Sequence, residues 1–208
     1  DLGVKKILLV VVIIIFITLL LPLAIVLLIG GSGEGHSPIE SGTVSVYVSE
    51  EDCVKDMDIN EYLKCVVAAE MPADFEEEAL KAQAVAARTY LYSHIAEKDK
   101  GNIAESHNGA AICTDSTHCQ AYISEDKRRE SWGAGAEENW NKISTAVDET
   151  TGQIMTYNDE IISAVFHSTS SGITESAVDV WGADVPYLQS VASTGDEESP
   201  KYHSELTL

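Results

Sequence analysis

Four groups of residues in this chain have types and spacings that can do chemistry. The first is Glu70, which closes the run VVAAE just before Met71-Pro72. At the end of a helix, behind Val66, Val67, Ala68 and Ala69, a carboxyl meets the negative end of the dipole and apolar neighbours. Both disfavour its ionised form. A carboxyl kept protonated near neutral pH is what a general acid requires, whereas a solvated glutamate before a turn would have no role. The second group is His107, Cys113, His118 and Cys119, spread over 13 residues. Two thiolates and two imidazoles complete a closed tetrahedral zinc shell with no open position for water, so such a zinc is structural and no catalytic cofactor is implied. A Cys113–Cys119 disulfide and free thiols are the rival states, the first allowed in an oxidising compartment. The third group is Gln83 and Arg88, at the margins of an apolar helix stripe. Arg88 is of a type that binds carboxylates, or it pairs with acids such as Glu76, Glu77 and Glu78. Gln83 is placed to orient Glu70 or to bond backbone. The fourth is His167, Ser168, Thr169 and Ser170. A histidine adjacent in sequence to its serine is poor geometry for a base, and no G-x-S-x-G elbow is present, so a serine hydrolase is disfavoured.

The elements that must position these groups are legible in part. A helical pattern runs from about Asn60 to Glu70 and is stopped by Pro72, which pushes the preceding residue out of the α region. A second pattern opens at Asp74, with Asp74 and Glu77 reading as a capping box. From there Leu80, Ala84, Ala87, Leu91 and Ile95 fall within an arc of roughly 80° at about 100° per residue. Before these helices, Thr43 to Ser49 alternates valines with other residues as a half-buried strand does, and Glu50 to Asp58 reads as an acidic turn region. Residues 98 to 135 read as a long irregular segment, uncommon unless something holds it. The metal cluster would be that staple. Glu137 to about Thr150 carries Trp140, Ile143, Ala146 and Val147 at helical spacing. Ile154 to Thr156 and Ile161 to Phe166 read as strands around an Asn158-Asp159 hairpin turn. Cys53 and Cys65 form a second possible pair, with a buried free thiol at Cys65 equally compatible. His36, in the linker, reads as solvated.

The formal net charge is −21 over 208 residues. An acidic surface argues against a nucleic-acid partner and against docking on anionic lipid. Ile7 to Ile29 is free of charge. As a helix it spans about 35 Å, against a hydrocarbon core of about 30 Å. Lys5 and Lys6 precede it, which by the positive-inside rule puts the N-terminus in the cytoplasm and the rest outside. A cleaved signal peptide is the rival, but its apolar core is shorter and no small-residue cleavage site follows. The organisation expected is therefore a single-pass anchor over 1–29, a flexible Gly/Ser linker over 30–42, and one α+β extracytoplasmic domain over 43–208.

The run AAEMPADFEEEALKAQAVAARTY resembles the signature of the stage II sporulation protein D family, which includes amidase enhancers. FHSTSSG at 166–172 and VWGADVPYLQSVAS at 180–193 resemble two further motifs of that family in the same order. The resemblance implies a peptidoglycan lytic transglycosylase with Glu70 as its acid/base, working at the engulfing mother-cell membrane during sporulation. It implies denuded glycan strands as substrate, with a membrane-anchored amidase/endopeptidase and a multi-pass membrane protein as partners. On that reading Gln83, Arg88, Ser168, Thr169 and Ser170 are substrate-binding candidates. Trp132, Trp140 and Trp181 are stacking candidates, although core burial is the commoner fate of a tryptophan. The family often carries a C-x5-C-Q-like pair at 113–120. It also usually continues to a glycine-rich GHGxGMSQ-type motif that this chain lacks, which implies that a C-terminal part is missing. A non-enzymatic glycan-binding scaffold that enhances an amidase is the alternative. A zinc hydrolase is disfavoured because the four ligands would fill the coordination sphere.

Overall fold

The computed structural model describes residues 42–199 and Tyr202, together with Gly3, Lys5, Lys6 and Phe16. The chain divides into two compact units, Asp1–Glu40 and Ser41–Leu208, and the second carries the architecture described below. The linker and nearly all of the apolar stretch 7–29 lie outside the described residues. Among the described residues no helix is long and apolar enough to cross a membrane.

The second unit is α+β. Strand β1 (Thr43–Val48) buries Val44, Val46 and Val48 on one face, as its alternation predicts. It turns through Asp52, which has a φ of 51°, into β2 (Cys53–Asp58), paired antiparallel from Thr43↔Asp58 to Val48↔Cys53. The expectation of an acidic turn across 50–58 is thus corrected over 53–58. CVKDMD has little strand propensity of its own, and it is strand because β1 supplies its ladder. Strand β3 (Ile112–Cys113) lies parallel to β1 on the other side, at Val46↔Ile112 and Tyr47↔Cys113.

Helix α1 (Ile59–Glu70) is capped by Asp58, whose Oδ1 accepts from the N–H groups of Asn60 at 2.9 Å and Glu61 at 3.1 Å. It stops where Pro72 requires. The capping box at Asp74 does not form: Phe75 N–H donates to the Pro72 carbonyl at 3.2 Å, so residues 72–75 make a turn and Glu76 takes the N-cap. Helix α2 (Glu77–Asp99) then buries Leu80, Ala84, Ala87 and Leu91 completely, with Ile95 half-buried. Helix α3 (Glu125–Trp132) was not expected. Its sequence EDKRRESW has no apolar stripe and buries none of its residues. What holds it is charge: Glu125 and Asp126 in the first turn, Arg129 bonded to Glu125 and Glu137, and guanidinium groups of Arg128 and Arg129 over the rings of Trp132 and Trp140. Helix α4 (Ala136–Glu149) buries Trp140, Ile143, Ala146 and Val147 as its spacing predicts. These helices and β1 enclose one core.

A short hairpin follows, β4 (Thr156–Tyr157) and β5 (Glu160–Ile161). Asn158 and Asp159 both have positive φ, 51° and 64°, the requirement of a tight primed turn. The strands are shorter than expected, and 162–166 is not strand. Beyond lie the five-residue helix α5 (Ala177–Trp181) and an isolated bridge between Ile173 and Ala192.

Candidate functional site

Glu70 is the last residue of α1 and is half-buried. Its Oε1 accepts the backbone N–H of Ala121 at 2.7 Å, the one hydrogen bond of this carboxyl among the described residues. Val66, Val67 and Ala68 behind it are fully buried, so the helix end is anchored from below. Sequence reasoning could not find Ala121, because a backbone donor has no side-chain signature. Gln120 was also missed as a site residue. It is 4% exposed, and neither its Oε1 nor its Nε2 finds a partner. Tyr62 OH and Gln83 Nε2 are buried without partners as well. Such buried groups cost roughly 1–3 kcal/mol each when left unpaired.

The four ligand candidates of the central loop converge. One ligand atom from each of His107, Cys113, His118 and Cys119 lies within 4.8 Å of the others. His107 Nε2 is 3.2 Å from His118 Nδ1 and 3.2 Å from Cys119 Sγ. His118 Nδ1 is 3.4 Å from Cys119 Sγ and 3.6 Å from Cys113 Sγ. A tetrahedral zinc with nitrogen and sulfur ligands has ligand–ligand edges of about 3.3–3.8 Å. The four distances of 3.2–3.6 Å lie close to that geometry, while the widest of the set, up to 4.8 Å, must close on the ion. All four cysteines are free thiols, and neither alternative bridge, Cys113–Cys119 or Cys53–Cys65, is formed. Burial pushes the Cys119 thiol up to about 12, and burial together with His118 lowers the His107 imidazole. A buried thiol is a poor anion alone, and a cation beside it makes the thiolate favourable. Three features make this loop: the Glu105–His107 turn ending in Asn108 at φ 47°, the β3 pairing that presents Cys113, and Asp115 bonding Thr117 before His118.

Arg88 is not where a sugar carboxylate can meet it. Its side chain is 1% exposed, and Nη1 and Nη2 donate to the carbonyls of Thr150 at 2.6 Å and Val147 at 2.9 Å, with further bonds to Thr150 Oγ1 and Asn60 Oδ1. Neither the expected ligand nor the expected acid pair is its partner; it caps the C-terminus of α4. Gln83 is likewise buried, at 8% exposure. Ser170 N–H donates to Asp196 Oδ2 at 2.9 Å, and its hydroxyl donates to the same oxygen. Thr169 Oγ1 lies 3.0 Å from Ser199 Oγ, while Ser168 is exposed. Thr169 and Ser170 therefore fasten their own loop. Trp140 is in the core with Trp132 against it, and Trp181 is 60% exposed. Trp181 lines an open groove of about 560 Å³ with Phe166, His167, Tyr187 and Gln189 among others, and no lining residue comes from α1 or α2. The structure thus brings the metal candidates together but does not place the 168–170 loop and Glu70 in one cavity.

Comparison with known proteins bears on all of these positions. A family model described as Stage II sporulation protein matches residues 47–157. The stage II sporulation protein D of Bacillus subtilis (strain 168) is 38% identical over 179 residues, 85% of this chain and 51% of that protein. That of Bacillus amyloliquefaciens is 40% identical over 166 residues, 80% of this chain and 47% of its own length. An amidase enhancer of Bacillus subtilis (strain 168) is 36% identical over 146 residues, 70% of this chain and 17% of that protein. The chain spans about half the length of the two sporulation proteins it matches. Because the matched residues run from β1 past Glu70, the four-ligand loop and Ala121 to the hairpin, the chain belongs to the stage II sporulation protein D family.

Proposed function

We propose that this chain carries the acid/base of a peptidoglycan lytic transglycosylase acting on denuded glycan strands during spore engulfment. The observation that supports it best is the placement of Glu70, half-buried at a helix end and steered by Ala121 N–H, with its second oxygen left for a substrate. Glu70 gives its proton to the oxygen of the MurNAc–GlcNAc bond as the C1–O bond breaks through an oxocarbenium-like state. The muramic C6 hydroxyl then bonds to C1, and its proton returns to Glu70. The product ends in a 1,6-anhydro ring, and one carboxyl has acted twice. Zinc held by His107, Cys113, His118 and Cys119 would supply rigidity to the 107–121 loop and takes no part in the chemistry. The exposed aromatic face of Trp181 suits a sugar ring.

The setting belongs to the same proposal: residues 7–29 as an uncleaved anchor, the domain outside, and an amidase/endopeptidase with a multi-pass protein as partners. The experiment is product analysis by mass spectrometry. Denuded strands incubated with the protein should yield anhydro-terminated fragments, and the Glu70→Gln variant should yield none. A second reading is favoured by one finding, that a relative is named amidase enhancer. If strands bind but stay intact with both proteins, the chain is a glycan-binding scaffold for an amidase.

A further inference from the structure

The four ligand candidates are not equally enclosed. Cys113 is 1% exposed and His107 3% exposed, Cys119 is half-buried, and His118 is exposed. A groove of about 540 Å³ lies on the His118 side, lined by His107 and His118 but by neither cysteine. An ion entering through this groove meets the imidazoles before the sulfurs. Two more donors line the same groove, His94 and Glu97, brought there by one face of α2.

His94 is arranged as a metal-seeking imidazole. Its Nδ1 lies 2.9 Å from the Tyr90 carbonyl, which can only accept, so the ring proton sits on Nδ1 and Nε2 keeps its lone pair. The ring lies against Tyr90, centroids 4.2 Å apart and planes tilted by 35°, and its centroid is 6.1 Å from that of His107. It is nevertheless absent from the set whose ligand atoms share one centre. Glu97 spends its oxygens on Lys100 and Asn102, so it offers charge to the groove more than coordination.

Building on the zinc reading above, we propose that this groove is the way in and out for the divalent cation, with His94 Nε2 as its transient first ligand. The ion would be handed from His94 to His118 and His107 and closed in by Cys119 and Cys113. A closed four-ligand site needs such a route, since its own ligands leave no open position.

A ligand that acts only in transit changes rates and not the equilibrium, so loading and release must slow by the same factor. The test uses zinc itself with the full chain. Zinc stoichiometry and affinity are measured by competition with a chromophoric chelator, and transfer in both directions by stopped flow. His94→Phe keeps an aromatic ring against Tyr90 and removes the nitrogens; His94→Ala removes both. The expectation is one zinc per chain at unchanged affinity in all three proteins, with loading and release severalfold slower in both variants. Wild-type transfer rates in His94→Phe would overturn the proposal. So would a loss of affinity with unchanged loading, which would make His94 a resident ligand. If the unaltered chain binds no zinc, it is the metal reading itself that has failed.

Discussion

Ala121 N–H reaches Glu70 Oε1 at 2.7 Å across 51 residues of sequence, and two residues before Ala121 stands Cys119. The carboxyl that the chemistry needs is therefore steered by the same short segment that the four-ligand cluster would hold. Replacing Ala121 by proline removes the donor, while Ala121→Gly keeps it. A hydrogen bond of this kind is worth about 1 kcal/mol to stability, so the fold should survive. Orientation of a reacting group is worth more than its bond energy, and a displaced carboxyl costs rate on the order of 10²-fold. The expected outcome is a proline variant with near-normal melting and strongly reduced anhydro-product formation, and a glycine variant close to wild type.

Metal removal should act on the same segment. A ligand present at 100 times its dissociation constant stabilises the folded state by about 2.7 kcal/mol. Chelation should therefore lower the melting temperature and speed amide exchange over 107–121, with Cys113→Ser reproducing both effects. If a reductant rather than a chelator produces the loosening, the staple is a Cys113–Cys119 disulfide.

Arg88 makes a different kind of claim. Its guanidinium carries the carbonyls of Val147 and Thr150, buried at the end of α4. Truncation removes a charged donor from each, while the Val147 carbonyl keeps the Thr150 hydroxyl at 3.1 Å and the Thr150 carbonyl keeps Gln153 N–H at 3.0 Å. The loss is that of two charge-assisted hydrogen bonds, roughly 1.5–3 kcal/mol each. Arg88→Met should lower stability markedly, and Arg88→Lys should recover only part, because one ammonium cannot reproduce the fork. Glycan affinity measured well below the melting temperature should stay the same. A loss of affinity in a variant of normal stability would return Arg88 to the substrate site.

These cases show what the sequence could carry. The helix at 59–70 was legible because Pro72 stops it, and that at 136–149 because Trp140, Ile143, Ala146 and Val147 keep helical spacing. Strand β2 and helix α3 were not, because their stability comes from neighbours: β1's ladder in one case, and Arg128 and Arg129 over the two tryptophans in the other. Among site residues, the cluster of His107, Cys113, His118 and Cys119 was legible because ligand types crowd within one loop. The role of Arg88 was not, because side-chain type alone does not say whether a guanidinium meets a ligand or a helix end.

Asp196 gives a prediction that depends on pH. Hydrogen bonds from the Ser170 hydroxyl and N–H hold its carboxyl below the ordinary value of 3.8. A group with a depressed folded pKa binds its proton more readily when unfolded, so its contribution is fully present above 3.8. It is lost as pH falls through the lower folded value. The loop at 168–172 should therefore stay fastened to 196 at pH 5 and above and loosen only at strongly acidic pH. Exchange of the Ser170 amide, followed by NMR and corrected for the intrinsic pH dependence, should show protection that falls away there. Asp196→Ala should lose that protection at every pH. Protection that is flat with pH in the native chain, or retained in the alanine variant, would mean that Asp196 does not fasten this loop.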